Sequence, residues 1–462
     1  MLETISLLAE WLPSPLQWAY LVLALLVSYY VLSPSRSRLP PGDEPVRGHD
    51  LCWFLLDDQI PFIINAFQTM DRISLSEVRA LVQARMVDKQ NRLTHRIVYH
   101  HGRPCWSRDA NFKLEKHVYA DENANVHSEA ELKAYVSKHY TRDLDRSRPL
   151  WEMILLEDYS PSESVLVMRF HHVVGDGISL VAMMFNAVDE VPTPTAAPVK
   201  VGQTASSLSL LKNGGNNIAA AIGQLRPRDV SPYRPPRVSG KMRAAWSSKI
   251  SLADLKFVKN TFECSINDVV VACVTAALRA YLEKTGGLKA TARVRASLPV
   301  NLRGPSLSAN RTLQNYFGIV YFQFPVHEAD RLTRLHLVKA RAASMKASIE
   351  PHLTLLGLSV IANLPLWLAR PLLHVMSSKA TLVFSNVPGL QELCSIGGKR
   401  LHDIHFFAPG GFLPINISVL SYAHNVDCNV GADESVCDDP QYIADVFVTE
   451  FEALHALAKA RT

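Results

Sequence analysis

Cysteine is scarce in this chain: seven in 462 residues, scattered, odd in number and without a C-x-x-C pair. That usage excludes a disulfide framework and a structural zinc site, and it suits a reduced compartment. Charge of one sign is not in excess either. The 48 Lys+Arg residues against 43 Asp+Glu leave +5, with no long basic run of the kind that tracks nucleic acid. No nucleic-acid partner is therefore expected. The chain has no G-x-S-x-G elbow, no G-x-x-x-x-G-K-[ST] loop and no G-x-G-x-x-G turn. A serine acyl-enzyme, nucleotide hydrolysis and a Rossmann cofactor thus have no basis in the sequence. Nor is there self-similarity at a period of about 20 to 50 residues, which sets solenoids and propellers aside.

What the chain has in quantity is apolar residues, 48% of the total, over a length beyond what one hydrophobic core normally supports. Two lobes are the first expectation. Near the start, Leu16 to Leu32 (LQWAYLVLALLVSYYVL) carries Gln17 as its only strongly polar residue and is just long enough to span a bilayer. Trp11, Trp18, Tyr29 and Tyr30 flank it as interfacial aromatics do. Glu3 and Glu10 precede the stretch and Arg36, Arg38 and Arg47 follow it, which places the remainder on the cytosolic side of a single-pass anchor. A cleaved signal peptide fits poorly, because the n-region is acidic and no A-x-A site follows. A helix lying on the membrane or on the protein is the competing reading. Residues 1–38 are read as the anchor, with the endoplasmic reticulum as the expected membrane.

A Pro-rich break leads into a first lobe, residues 45–190. Within it Glu129 to Tyr140 reads as a helix, while Trp151 to Leu156 and Val165 to His172 read as an antiparallel hairpin. Residues 191–245, with PTPTAAP, NGGNN and RPRDVSPYRPPR, read as a linker. The second lobe, 246–462, opens on a helix with Ser265 as N-cap, Asp268 at N3 and Gly286 as its stop. Strand-like runs follow at Val294 to Val300, Ile319 to Val326, Thr381 to Ser385 and Ile415 to Ser421. Leu353 to Met376 is strongly apolar but broken by Asn363, Pro365 and Pro371, and reads as a buried helical hairpin; a substrate wall or second membrane contact is the alternative.

The most unusual stretch is FHHVVGDGISL, Phe170 to Leu180. On a strand, Val165, Val167, Arg169 and His171 share one face, and Leu166, Met168, Phe170 and His172 share the other, so the two histidines cannot do the same job. Asp176 follows between Gly175 and Gly177, and then a helix begins. A strand, tight turn and helix present an imidazole at an exposed edge, where its pKa near 6.5 suits a base that takes the proton from a hydroxyl as it attacks an acyl group. Asp176 is free to fix the loop or to cap the helix. A two-His, one-Asp metal site is disfavoured because adjacent strand residues point apart, and no metal is expected. Which histidine faces the substrate is left open by the residues alone.

HHVVGDG (His171 to Gly177) resembles the H-H-x-x-x-D-G signature of the chloramphenicol acetyltransferase-like superfamily. RPLWE (Arg148 to Glu152), NDVVVA (Asn267 to Ala272), LPVNLR (Leu298 to Arg303), NYFG (Asn315 to Gly318), SNVPG (Ser385 to Gly389) and LPINISVLSY (Leu413 to Tyr422) narrow the resemblance to the wax ester synthase/diacylglycerol acyltransferase family. It implies an α/β fold of two lobes with mixed sheets, here with an added N-terminal membrane-anchor helix, and a tunnel between the lobes. It also implies acyl-CoA as co-substrate rather than a cofactor, and a long-chain alcohol or diacylglycerol as acceptor at a lipid bilayer. The second histidine of the signature is the base in that family, which maps to His172, with His171, Asp176 and Gly177 completing the motif. Asn267 and Asp268 match an N-D motif thought to line the site, though both also suit a helix start. Asn386 in the SNVPG turn is the remaining candidate, and the turn's own geometry explains its neighbours equally well. The basic residues Arg226, Arg228, Arg234, Arg237, Lys241 and Arg243 read as a solvated connector, with CoA phosphates or lipid headgroups as alternative partners. Two other functions stay open: the same chemistry on a sterol, short-chain alcohol or amine, and a non-catalytic lipid-binding scaffold.

Overall fold

The computed structural model describes residues 39–55, 57, 61–190, 231, 233, 238–303, 312–411 and 413–461. The anchor expected at Leu16–Leu32 and Arg226, Arg228, Arg234 and Arg237 of the linker lie outside these residues. Among the described residues no single helix is long and apolar enough to cross a membrane.

The first lobe is built on a mixed sheet of three central strands and their neighbours. Strand β1 (Ile63–Asp71) pairs antiparallel with β3 (Glu163–His171), which pairs antiparallel with β2 (Trp151–Leu156). The expected hairpin is present, with Trp151 opposite Phe170 and Leu156 opposite Val165. This register leaves β3 buried from Ser164 onward, as a central strand covered on both faces must be. Val118–Ala120 adds a parallel edge strand beside β2.

The other side of β1 is occupied from far along the chain. Strand β4 (Lys399–Phe407) pairs antiparallel with β1, Phe406 opposite Ala66, so the second half of the sequence completes the first lobe's sheet. The boundary expected at residue 246 therefore does not separate the lobes cleanly. The linker's expected end is corrected as well. Met242–Trp246 is a strand, paired antiparallel with Asn425–Asp433 at the edge of the second sheet, where Met242, Ala244, Ala245 and Trp246 are buried. Lys241 and Arg243, read as connector residues, lie 3.5 and 4.0 Å from Glu434.

The second sheet runs Phe317–Gln323, Arg295–Asn301, Leu382–Pro388, Ile415–Tyr422, Asn425–Asp433 and Met242–Trp246, with Ile250–Ser251 paired beside it. The Leu382–Pro388 strand is parallel to both of its neighbours, and the other pairings are antiparallel. Behind it lies the helix Ile266–Lys284, whose residues from Asp268 to Leu278 are all buried; a segment apolar around its whole circumference has to be. Ser265 and Asp268 close a reciprocal capping box at its start, and Gly286 follows its end at φ +70°.

Two further elements position the site. Helix α1 (Gly48–Leu55) brings Cys52, Trp53 and Leu55 against the hairpin formed by α2 (Glu350–Ile361) and α3 (Leu366–Ser377). Gly318 makes that seat possible, since a Cβ there would fall 2.1 Å from the Pro351 carbonyl oxygen. The hairpin expected to be buried is only buried on its inner face. Leu358, Ile361, Ala369 and Leu373 point inward, whereas Leu356, Val360, Trp367, Leu372 and Val375 face out.

Candidate active site

Residues 171 to 177 leave β3 as a tight turn that ends in the helix Gly177–Phe185. Asp176 is that helix's N-cap, its Oδ1 accepting from the Ser179 amide at 2.9 Å. A Cβ at Gly175 would meet Ser179 Oγ at 2.6 Å, so a side chain there would make that hydroxyl turn away from the Asp176 and Gln314 carbonyls to which it donates. Oδ2 of Asp176 accepts from Arg303 Nη2 at 2.6 Å and from the Tyr316 amide at 3.0 Å. The three hydrogen bonds of this carboxylate thus go to scaffold groups, and no hydrogen bond ties it to either histidine ring among the described residues.

The two histidines go to different partners. His171 Nδ1 accepts from the Val173 amide at 3.0 Å, and its Nε2 lies 2.8 Å from Asp57 Oδ2. Asp57 also pairs with Arg146 and accepts from the Phe62 amide at 2.9 Å. Burial works against the Asp57 carboxylate, but the contacts with His171, the Phe62 amide and Arg146 outweigh it and hold the group below the usual carboxylate range. His171 is in this way the middle of a buried polar cluster.

His172 is 8% exposed and is walled by aromatics: its ring centroid is 5.0 Å from Trp53 and 5.8 Å from Phe317. Its main chain is held from both sides. The amide donates to the Phe62 carbonyl at 2.7 Å, and the carbonyl accepts from Asn315 Nδ2 at 2.6 Å. Asn315 is held in turn by Asp50 Oδ1, at 2.7 Å from Nδ2 and 3.1 Å from its amide, and Asp50 Oδ2 pairs with Arg92 at 2.6 Å. Burial pushes the imidazole pKa down to about 4, against an upward pull from the Asp176 charge. At neutral pH the ring is therefore uncharged and able to accept a proton. Its Nδ1 is enclosed without a hydrogen-bond partner among the described residues.

Beside this turn lies an apolar cavity of about 820 Å³ counting its mouth. Met168 and Phe170 of β3 line it, as do Ile64 and Ala66 of β1, Gly177 and Leu180 of the helix that follows the turn, and Val387 and Leu420 of the second sheet. Met168 and Phe170 belong to the strand face that strand alternation assigns to His172. His172 itself is not among the lining side chains, so the cavity reaches the turn through Phe170 and Gly177 on either side of it.

The remaining candidates form a separate group. Asn386 Nδ2 donates to Asn267 Oδ1 at 3.0 Å, within reach of solvent. Asn386 precedes the cavity-lining Val387 but points to the other side of its strand. Asp268 is buried in the capping box, where its Oδ2 accepts from the Ser265 amide at 2.9 Å. No contact joins these three to His172 among the described residues. Sequence reasoning missed Trp53, Asp57, Phe62 and Asp50, which lie in the stretch before β1 where no motif marks them. Asn315 and Arg303 stood in quoted motifs, NYFG and LPVNLR, without an assigned role. No cluster of His, Cys, Asp or Glu able to hold a metal is found among the described residues.

Residues 68–231 match the wax ester synthase/diacylglycerol acyltransferase catalytic domain, and residues 313–455 match the WS/DGAT C-terminal domain. The chain belongs to the wax ester synthase/diacylglycerol acyltransferase family. As a member of it, the protein is an acyltransferase. A probable diacylglycerol O-acyltransferase of Mycobacterium tuberculosis is 26% identical over 78% of this chain and 83% of its own length. Wax ester synthase/diacylglycerol acyltransferase 11 of Arabidopsis thaliana is 28% identical over 78% and 84%. In fold, this WS/DGAT chain is similar to the wax ester synthase/diacylglycerol acyltransferase of Marinobacter aquaeolei VT8, with a TM-score of 0.65 at 19% identity, covering 90% of this chain and all of that one. The starter condensation domain of rhizomide synthetase, solved with C8-CoA and Leu-SNAC, is similar at a TM-score of 0.57 and 13% identity over 90% and 94%. The two-lobe α/β acyltransferase fold with mixed sheets is thus established for this WS/DGAT protein.

Proposed function

We propose that this protein is a membrane-associated O-acyltransferase that moves a fatty acyl group from acyl-CoA to the hydroxyl of a long-chain alcohol, of diacylglycerol, or of both. The observation that carries the reading is a neutral, main-chain-clamped imidazole, His172, at the strand-to-helix turn that borders an apolar cavity. In this reading the cavity takes an alkyl chain, and its apolar lining supplies the binding energy. With Nδ1 enclosed, Nε2 of His172 takes the acceptor hydroxyl's proton as its oxygen bonds to the thioester carbon. The tetrahedral intermediate then expels CoA thiolate, which receives that proton from the imidazolium. Transfer is direct, orientation by the clamped turn supplies much of the rate, and no cofactor or metal takes part. His171 and Asp176 hold the turn in this scheme, with Gly177 at its end. The Asn267–Asn386 pair, on the opposite side of its strand from the cavity, and Asp268, which caps the helix beside it, are assigned to substrate binding at that helix N-terminus. Leu16–Leu32 supplies a single-pass anchor that leaves both lobes on the cytosolic side, with the endoplasmic reticulum as the expected membrane.

The test is radiolabelled acyl-CoA offered in parallel with hexadecanol and with diacylglycerol to membranes containing wild-type protein or His172→Ala. Wax ester or triacylglycerol formed only by wild type supports the reading. Equal product from both proteins removes His172 from the chemistry.

A further inference from the structure

The outer face of the α2–α3 hairpin is apolar, exposed and of one charge character. Trp367 is 76% exposed, Leu356 62%, Val375 56%, Val360 38% and Leu372 37%. Leu356 and Val360 stand one turn apart on α2, and Trp367, Pro371 and Val375 repeat at four-residue spacing along α3, so these side chains form stripes rather than a scatter. Elsewhere in the described structure the large exposed apolar side chains, Tyr99, Leu393 and Leu457, come singly. Scattered single residues call for no explanation, whereas a contiguous patch does.

The charge pattern points to what covers it. Glu350, the first residue of α2, is buried, and from Pro351 to Ser377 there is no Asp, Glu or Lys; Arg370, exposed on α3, is the one permanent charge. An exposed tryptophan and an arginine on an apolar face that exposes no acidic residue are the pattern of a segment that lies in a bilayer interface containing anionic lipid. A protein partner gives no reason for the missing acidic residues. Position agrees. The inner face of the hairpin packs against α1, with Cys52 Sγ on the Leu358 carbonyl at 3.2 Å and His49 Nε2 on the Leu355 carbonyl at 3.3 Å. Helix α1 is the first described helix that follows the apolar stretch Leu16–Leu32 in sequence, and it carries Trp53, which walls His172. A bilayer on the outer face would lie one helical layer from the reacting imidazole.

We propose that the outer face of the α2–α3 hairpin docks on an anionic phospholipid bilayer and delivers the lipid acceptor to the His172 site. The proposal rests on the acyltransferase reading for its second half only; docking stands on the hairpin itself.

The experiment uses the full chain as wild type, Trp367→Phe and the double variant Leu356→Ser/Trp367→Ser, with thermal unfolding as a check that these surface changes leave the fold intact. Vesicles of phosphatidylcholine with phosphatidylserine, carrying bromines on their acyl chains, quench tryptophans that enter them. Wild type is expected to lose a share of its emission that Trp367→Phe lacks, and a smaller share with phosphatidylcholine alone. The double variant is expected to esterify vesicle-embedded diacylglycerol about tenfold more slowly while keeping its rate on a water-soluble short-chain alcohol. Equal quenching of wild type and Trp367→Phe, or a measurable wild-type rate on vesicles that the double variant fully retains, overturns docking. Lipid-free dimerisation that the double variant abolishes also overturns it, by assigning the face to a second copy of the chain. If wild type makes no ester in either assay while Trp367 is still quenched, the acyltransferase reading fails and docking stands.

Discussion

Arg303 Nη2 lies 2.6 Å from Asp176 Oδ2, with both side chains buried where a segment of the second half of the chain closes on the turn from the first. The same carboxylate caps the helix Gly177–Phe185 and accepts from the Tyr316 amide. Removing it with Asp176→Ala leaves the Arg303 guanidinium in the interior without its counter-charge, held only by neutral acceptors of Asn301, Gln314 and Tyr316, which costs about 3 to 5 kcal/mol. Asp176→Asn keeps an acceptor for the helix cap and loses less. Urea unfolding of the two variants is expected to rank them in that order, with activity falling in step with stability. A fully stable Asp176→Asn with a collapsed kcat would instead mean that the carboxylate meets the substrate.

The separation of the two histidines predicts different losses. His172→Ala removes the proposed base and is expected to lower kcat about 10² to 10⁴-fold while the fold persists. His171→Ala leaves Asp57 without one of its buried partners, beside Arg146, and is expected to cost about 1 to 3 kcal/mol of stability with a smaller loss of kcat. Paired kinetics and unfolding curves check this. Equal kcat losses with equal stability contradict the division of labour.

The architecture of the turn was legible because its signals are local. HHVVGDG marks a strand end, a glycine turn and a helix cap within seven residues, and the Ser265–Asp268 capping box is a four-residue pattern. Strand alternation foresaw that His171 and His172 part company. What could not be read is what holds them. Asp57 is 114 positions before His171, Asp50 is 265 before Asn315, and β4 joins β1 across more than 300 residues. Periodicity reports which face of an element is apolar, and it is silent on which distant element covers that face. The hairpin from Glu350 to Ser377 shows the converse error. Its composition implied burial, and its outer stripe is exposed because no element of the described fold packs on it.

The buried imidazole makes a pH prediction with a definite sign. Its folded pKa of about 4 lies below the ordinary 6.5, so protonation favours the unfolded chain. The stability it withholds is absent near neutrality and grows as pH falls from about 6.5 toward 4, approaching about 3 kcal/mol. His49, His117 and His139, also lowered chiefly by burial, push the same way, so the contribution of His172 is read as a difference. The unfolding free energy of His172→Gln is expected to fall less between pH 7 and pH 4.5 than that of wild type. Parallel curves would mean that the ring titrates normally. In the wild-type kcat/KM profile this group is expected to leave no acid limb between pH 5 and 8.

The cavity predicts chain-length control from one side. Ala66 lines it from β1, opposite Phe406 of β4, on a strand fixed by neighbours on both sides. A strand held in this way cannot retreat, so a larger side chain at position 66 has to project into the open space. Ala66→Phe adds a ring where an alkyl chain would lie, and each methylene excluded from apolar contact forfeits about 0.8 kcal/mol, close to fourfold in binding. The variant is therefore expected to lose activity progressively as the acyl chain lengthens, by tenfold or more over about three methylenes, while short acyl-CoA substrates are turned over at nearly the wild-type rate. Competition between acyl-CoAs of graded length, with the acceptor held constant, measures that slope. If the slope appears against alcohol length and not acyl length, the cavity holds the acceptor chain instead. A uniform loss at every length of both substrates would mean that neither chain enters it.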